Sequence, residues 1–178
     1  MIKRIVRRSR ILNRLVYDYG YGVRVPFRLL LLNSLFRYLF GINKGSRHSV
    51  HYTSKVVCPE NLILQGNGAG TVQSLALSGG CYIQAGHGVS IGEGTIWSFN
   101  VAIVSANHDI SKPDKTWSEK KTPVFIGRNC WIGANAVILP GVLLGDSTIV
   151  GASAVVTKSF PEGHVTLVGN PARPLGLE

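Results

Sequence analysis

The sequence predicts an all-β chain wound as a parallel β-helix, preceded by a helical segment and interrupted by one loop that leaves the coil. Three observations predict this fold: a six-residue repeat of aliphatic side chains in the C-terminal half, two apolar stripes before residue 42, and a polar stretch where the repeat loses its phase. The chain has 178 residues, of which 45% are hydrophobic, which suffices for a substantial core and excludes a disordered basic tail.

The six-residue repeat places a large aliphatic at every sixth position and a mostly small residue two places before it. This period is typical of a three-sided coil, in which each aliphatic points inward and stacks on its counterpart one coil away. The aliphatic positions are Ile126, Ile132, Ile138, Leu144, Val150 and Val156, and the small positions are Val124, Cys130, Ala136, Val142, Thr148 and Ala154.

The same rhythm occurs earlier, at Ile91, Trp97 and Ile103, but Ile126 follows Ile103 by 23 residues, which is not a multiple of six. The intervening residues 106–123 are polar and charged, so we interpret them as a loop expelled from the coil. Upstream, Leu77 continues the phase weakly, and the stretch before it has β-like character without a register. About five coils are expected.

The net charge of +10 comes from residues 1–55, which hold twelve Lys or Arg and one acid, whereas residues 56–178 are nearly neutral. We therefore divide the chain into a basic helical segment, 1–55, and a β-helix domain, 56–178. The first predicted helix has basic and apolar sides, and a second apolar stripe runs from Pro26 to Gly41. The basic side consists of Lys3, Arg7, Arg10 and Arg14, and the second stripe of Leu29, Leu32, Leu35, Phe36, Leu39 and Phe40.

Two interpretations of the basic segment stay open: packing on the coil or another subunit, and contact of residues 1–40 with an anionic membrane. Nucleic acid is not an expected partner, because no DNA- or RNA-binding motif precedes the coil. The apolar stretches are too short or too interrupted for a signal peptide or a spanning helix, and three cysteines without metal-ligand spacing favour a reducing compartment. We expect a cytoplasmic protein, which under the second interpretation is peripheral at the inner face of the cell membrane.

Seven short segments carry a resemblance to a known family. They are Asn107-His108-Asp109, Pro123-Val124-Phe125-Ile126-Gly127, Trp131-Ile132-Gly133-Ala134, Leu139-Pro140-Gly141-Val142, Val150-Gly151-Ala152, Val155-Val156-Thr157-Lys158 and Gly169-Asn170-Pro171-Ala172-Arg173. The chain resembles the hexapeptide acyltransferases, in the branch of the maltose, galactoside and polysaccharide O-acetyltransferases. The resemblance implies a left-handed coil, a homotrimer, and acetyl-CoA bound between neighbouring subunits.

The resemblance also implies roles for individual residues. His108 in the expelled loop matches the catalytic histidine, and imidazole suits the removal of a hydroxyl proton near neutral pH. Asn107 flanks it as a candidate substrate-binding residue, and Trp131 matches a wall of the cleft. Independently of the resemblance, we expect His87 in the acceptor pocket. Ala134 and Ala152 match positions along the pantetheine arm, Thr157 and Lys158 match the pair at the far end of the cofactor, and Arg173 matches a residue near the adenosine phosphates.

These features predict an O-acetyltransferase that moves an acetyl group from acetyl-CoA onto a sugar or glycan precursor of capsule, exopolysaccharide or lipopolysaccharide, by direct attack on the thioester. A small acceptor such as serine is the alternative within the same chemistry. A more remote alternative is a zinc enzyme of the γ-carbonic-anhydrase type, which needs three converging histidines. The coil before the loop offers only His87, with His108 in the loop and His164 far along the chain, so no metal is expected.

Overall fold

The computed structural model describes residues 25–66, 69–114 and 116–176. The first predicted helix lies outside these residues, and α1 (Phe27–Leu39) corresponds to the second. The remaining elements of the described chain are α2 (Ala69–Leu77), a 3₁₀ turn (Pro59–Asn61), β1 (Lys55–Val57), β2 (Leu62–Leu64), β3 (Tyr82–Gln84), β4 (Val89–Ile91), β5 (Ile96–Trp97), β6 (Ala102–Val104), β7 (Val124–Ile126), β8 (Trp131–Ile132), β9 (Val137–Ile138), β10 (Leu143–Leu144), β11 (Ile149–Val150), β12 (Val155–Val156), β13 (Thr166–Val168) and β14 (Arg173–Pro174).

The strands form three parallel sheets, which are the three sides of a prism. Sheet A has the order β1-β3-β6-β9-β12, sheet B the order β2-β4-β7-β10, and sheet C the order β5-β8-β11-β13, to which β14 adds antiparallel. The chain visits A, B and C in turn, so each strand pairs with the strand one coil away. We name the prism edges by the sheets that they join: A–B, B–C and C–A.

Inward side chains stack in register along each side of the prism. On sheet A, Val56, Ile83, Ile103, Ile138 and Val156 form one continuous column of buried residues. The aliphatic positions predicted from the repeat are at most 3% exposed, and the small positions at most 2%. The repeat therefore predicted the core correctly, because a period of six returns the chain to the same side of the coil.

The corners of the coil turn through single residues with positive φ. Asn100 and Asn135 adopt this conformation on the C–A edge, and Asn129 on the B–C edge. Asparagine suits these positions because its short polar side chain tolerates the left-handed region better than most residues do. Successive corners stack so closely that a Cβ at Gly133 would approach the backbone nitrogen of Ala152 to 2.6 Å, which explains the glycines that follow the aliphatics.

Helix α2 corrects the prediction of β-like structure up to residue 76 and of a coil position at Leu77. The helix occupies the side of the first coil where a sheet C strand would lie, next to the edge strand β5. Trp97 of β5 donates its backbone N–H to Ser74 Oγ, and Ser78 Oγ donates to the Trp97 carbonyl at 2.8 Å. These hydroxyls satisfy edge groups that would otherwise template another strand, so α2 caps sheet C.

Helix α1 is fixed to the coil by a buried asparagine. Asn33 Nδ2 donates to Ser49 Oγ and to the carbonyl of Ala76, and Asn33 Oδ1 accepts the backbone N–H of Tyr52. Leu30, one turn away on the same side, is buried against Ala76. Neither described helix combines the length and the hydropathy that a membrane span requires.

Candidate active site

The loop that leaves the coil connects β6 to β7 on the A–B edge. Elsewhere this corner is short: in the next coil Ile138 leads to Leu144 in six residues, whereas here Ile103 leads to Ile126. The residues on either side of the two corners nevertheless stack on each other: Ile103 is in register with Ile138, and Ile126 with Leu144. The insertion therefore projects from the prism without disturbing the coils on either side.

A buried glutamine holds the start of the loop. Gln84, at the end of β3, is 4% exposed, and its Oε1 accepts the backbone N–H groups of Ser105 and Ala106 at 3.1 and 2.9 Å. Its Nε2 donates to the Ala106 carbonyl, and Ser105 Oγ donates to the Gln84 carbonyl. Sequence reasoning missed Gln84, because a polar residue between the buried Ile83 and Ala85 is what an ordinary outward-facing strand position also shows.

The loop closes on itself as a short antiparallel pairing that carries His108. Asp109 donates its backbone N–H to the Thr116 carbonyl at 2.7 Å, and Ser118 donates to the Asn107 carbonyl at 2.8 Å. His108 lies opposite Trp117 in this pairing, and both Asn107 and His108 are exposed. The predicted base is therefore presented to solvent from a backbone that is held on both sides.

The side chain of Asp109 is engaged with the loop tip. Its Oδ1 accepts the Ser111 hydroxyl at 2.6 Å and the Ser111 backbone N–H at 3.0 Å, and these bonds, with a smaller contribution from Lys112, lower the pKa of the carboxyl. Lys112 in turn contacts Glu119 at 2.9 Å, which raises the pKa of the lysine and lowers that of the glutamate. At neutral pH the loop tip is therefore held by charged side chains, with Lys112 between Asp109 and Glu119.

Trp117 docks the loop onto the preceding coil beside His87. The indole lies against Gly86, and the His87 ring meets it edge-on with centroids 6.4 Å apart. His87 donates its backbone N–H to Ser105 Oγ, while its Nδ1 lies 3.1 Å from Thr122 Oγ1 at the far end of the loop. The structure therefore brings His87 and the loop of His108 to one corner of the A–B edge.

The predicted donor residues fall on different parts of the prism. Ala134 and Ala152 occupy successive corners of the C–A edge, where Ser153 donates its backbone N–H to the Ala134 carbonyl. Ala134 is half-buried and Ala152 is exposed. A single chain therefore does not bring these two alanines to His108, which projects from the A–B edge.

The predicted cations lie near the C-terminal end of the coil. Thr157 and Lys158 follow β12 and are exposed, with the Lys158 ammonium 5.5 Å from the centre of the Phe160 ring. Arg173 lies in β14, exposed, and its guanidinium donates to the Ala172 carbonyl. Both positive groups therefore face solvent at one end of the prism.

Trp131 contributes to a groove on sheet C rather than to the corner of His108. It is 53% exposed and lies near Phe99, which is 56% exposed, in an open groove of about 410 Å³. Trp97 borders the groove but is a buried core residue, and its indole N–H has no hydrogen-bond partner among the described residues. The groove is lined by Gly70, Gln73, Ser74, Leu77, Ser78, Ile96, Trp97, Ser98, Phe99 and Trp131.

The buried thiols lie inside the coil. Cys81 and Cys130 are at most 3% exposed, and burial raises the pKa of both. Raised pKa values disfavour the thiolate form that a nucleophile needs. Within the part of the chain that the structure describes, no three His, Cys, Asp or Glu side chains are grouped as a metal ion would require.

Comparison with known proteins finds the same repeat. Residues 123–158 match the family "Bacterial transferase hexapeptide (six repeats)". Nodulation protein L of Rhizobium leguminosarum bv. viciae is 46% identical over 94 residues, which are 52% of this chain and 49% of that protein. The galactoside O-acetyltransferase of Escherichia coli K12 is 36% identical over 86 residues, 48% of this chain and 42% of that protein. The chain thus spans about half the length of the curated relatives it matches.

A solved structure shows the same fold. The N-acyltransferase AntD from Bacillus cereus, in complex with dTDP-4-amino-4,6-dideoxyglucose and coenzyme A, superposes with a TM-score of 0.54 at 17% identity. The alignment covers 71% of this chain and 78% of that one. The resemblance of the sequence to the hexapeptide acyltransferases is confirmed by these matches.

Proposed function

We propose that this hexapeptide-repeat chain is an O-acetyltransferase that transfers the acetyl group of acetyl-CoA to a hydroxyl of a sugar or glycan precursor. The observation that carries the proposal is the presentation of His108 on a loop bonded to the coil at both ends, by Gln84 at its start and by the contact of Thr122 with His87 at its end. A fixed backbone suits a general base, because proton transfer requires a defined geometry.

The proposed reaction is direct attack. The His108 imidazole takes the proton of the acceptor hydroxyl as its oxygen forms a bond to the thioester carbonyl carbon. The carbon–sulfur bond then breaks, the acetyl ester is released, and the CoA thiolate recovers the proton from the imidazolium. Cys81 and Cys130 are unsuited to a covalent acetyl-enzyme, because both are buried with raised pKa values.

The proposed assembly is a homotrimer with the site between subunits. His108 projects from the A–B edge, whereas Ala134 and Ala152 lie on the C–A edge of the same chain. A three-fold arrangement that sets the C–A edge of one subunit against the A–B edge of the next would unite the two sets of residues. Closed cyclic assemblies of this kind use two different surfaces of each subunit.

In the proposed trimer, the acceptor site combines the His108 corner of one subunit with the groove on sheet C of the neighbouring subunit. Trp131 and Phe99 present aromatic faces on which the apolar side of a sugar ring packs favourably, and Gln73 and Ser74 of α2 add polar groups. The galactoside O-acetyltransferase among the relatives supports a sugar, and a free serine is the competing acceptor. With acetyl-CoA as the proposed donor, the proposed reaction takes place inside the cell.

The decisive experiment measures CoA release by the full chain with galactosides, amino sugars, glycan oligosaccharides and serine as acceptors. The variant His108→Asn should lower kcat about 10²- to 10⁴-fold. The matched control is His164→Asn, because asparagine suits the positive φ of this exposed histidine on the B–C edge. Equal rates for His108→Asn and the wild type would overturn the assignment, and turnover of serine alone would reject the sugar.

Mixing two inactive variants tests the proposed location between subunits. His108→Asn removes the base, and Ala152→Trp fills the exposed corner of the C–A edge. If the site spans two subunits, co-refolded mixtures regain activity, because some interfaces combine an intact His108 with an intact Ala152. If each chain holds a complete site, the mixture stays inactive.

A further inference from the structure

The outer face of α1 is apolar and uncovered. Phe27, Leu31, Leu35, Tyr38 and Leu39 recur at helical spacing and are between 50% and 70% exposed. This face is opposite to Leu30 and Asn33, which hold the helix on the coil. A contiguous exposed apolar patch of this kind marks an interaction surface.

The exposure differs from the pattern expected for a packed helix. Leu35 and Leu39 belong to the apolar stripe of the sequence, yet the structure buries Leu30 and the polar Asn33 instead. Three hydrogen bonds of Asn33 fix this choice, so the helix cannot turn its leucines inward without leaving a buried amide unsatisfied. The apolar face is therefore held outward by the fold itself.

The segment that carries this face is strongly basic in sequence. Residues 25–55 contain five cations and no acid, and among them Arg28, Lys44 and Arg47 are exposed. The preceding residues 1–24 add seven cations against one acid. The basic segment 1–24, or the basic segment of a second copy, would bring like charges together on this face, and the nearly neutral residues 56–178 of a second copy would leave its cations unbalanced, whereas an anionic partner would neutralise them. Nucleic acid would meet the charge but leave the leucines exposed.

We propose that α1 docks the protein on an anionic lipid bilayer. The helix lies in the plane of the interface, with its leucines at the acyl boundary and its cations among the headgroups, as basic amphipathic helices do. Tyr38 is suited to the headgroup level, since its ring is apolar and its hydroxyl polar. Thirteen residues make α1 about 20 Å long, which gives a contact patch and not a span.

This inference does not depend on the proposed acetyltransferase activity, because its test measures lipid binding. The full chain is sedimented with vesicles of phosphatidylcholine alone and of phosphatidylcholine mixed with phosphatidylglycerol. We expect binding to the mixed vesicles, little binding to the neutral ones, and a loss of bound protein as salt shortens the screening length.

Matched variants locate the surface. The triple change Leu31→Gln, Leu35→Gln and Leu39→Gln should lower the partition coefficient at least roughly tenfold. Glutamine keeps the helix propensity, and none of the three leucines belongs to the buried hydrophobic core. The control changes two exposed apolar residues on sheet B, Ile63→Gln and Leu143→Gln, and should bind as the wild type does.

A charge variant tests the anionic partner. Arg28→Gln with Lys44→Gln should weaken binding to mixed vesicles by roughly fivefold per charge. Circular dichroism verifies that each variant is folded. The proposal is overturned if the leucine variant binds like the wild type, if the wild type binds neutral vesicles equally well, or if the leucine variant only lowers the oligomer size without changing lipid binding.

Discussion

The indole of Trp117 rests on the backbone of Gly86, so closely that a Cβ at Gly86 would come within 2.6 Å of the ring. Trp117 is also the residue that faces His108 across the loop pairing. The contact between Gly86 and the indole therefore determines how far His108, the proposed base, lies from the surface of the coil. A side chain at residue 86 would displace the loop without touching His108.

Gly86→Ala should consequently impair catalysis more than folding. An added methyl group forces Trp117 off the corner and shifts the loop by an amount comparable with 1 Å, for which losses of roughly 10- to 100-fold in kcat are expected. The melting temperature should change little, because the coil core is untouched. Gly176→Ala is the control, since a Cβ there meets nothing within 4 Å. Full activity of Gly86→Ala would show that the indole does not position the base.

Replacing Gln84 should loosen the loop at its start. Gln84→Leu removes the acceptor of two backbone N–H groups, those of Ser105 and Ala106, at a cost of about 1–3 kcal/mol in unfolding free energy. Trypsin should then cleave at the loop lysines faster than in the wild type. Gln65→Leu is the control, because this exposed side chain makes one hydrogen bond, to Ser90. Equal cleavage rates in all three proteins would contradict the role of Gln84.

The coil was predictable from the sequence because its information is local. Each inward residue, such as Ile132 or Ile138, repeats a short pattern whose geometry does not depend on distant parts of the chain. Helix α2 was missed because Leu77 falls in phase with the repeat by coincidence. The helix has only nine residues, so a helical period is hard to recognise in its sequence. The hand of the coil stays a prediction from the resemblance.

The site was predictable only in part, for a related reason. The break in the repeat located the loop of His108, but the contacts that hold it, from Gln84 to Ala106 and from Gly86 to Trp117, join residues more than twenty positions apart. No spacing rule encodes such contacts. Similarly, the sequence motif that includes Ala152 does not show which edge of a neighbouring subunit would meet the base.

The buried thiols of Cys81 and Cys130 should take no part in catalysis but should lower the free energy of unfolding at alkaline pH. Cys130→Ala is expected to retain acetyl transfer, because burial raises the pKa of this thiol and keeps it protonated. The pKa of this thiol is higher in the folded chain than in the unfolded chain, where it is about 8.5. Its contribution to the free energy of unfolding is therefore complete below about pH 8.5 and is lost as the pH rises through the folded pKa. Melting temperatures measured from neutral to alkaline pH should fall less steeply in Cys130→Ala. Loss of acetyl transfer in Cys130→Ala would instead implicate the thiol in the reaction.

The two cations at the end of the coil provide a test of donor binding that does not rely on His108. If Lys158 and Arg173 contact the adenosine phosphates, Lys158→Gln and Arg173→Gln should each raise the KM for acetyl-CoA roughly tenfold with a smaller change in kcat, as the loss of a charge-assisted hydrogen bond implies.

Acetyl-pantetheine supplies the internal control, because it carries the same thioester and lacks the adenosine phosphates. With this donor the variants and the wild type should have equal KM values, since the groups that the cations bind are absent. Arg128→Gln, at an exposed position on the B–C edge, should behave as the wild type with both donors. Equal penalties with the two donors would mean that Lys158 and Arg173 act on the fold or on the acceptor, and the donor assignment at this end of the prism would be wrong.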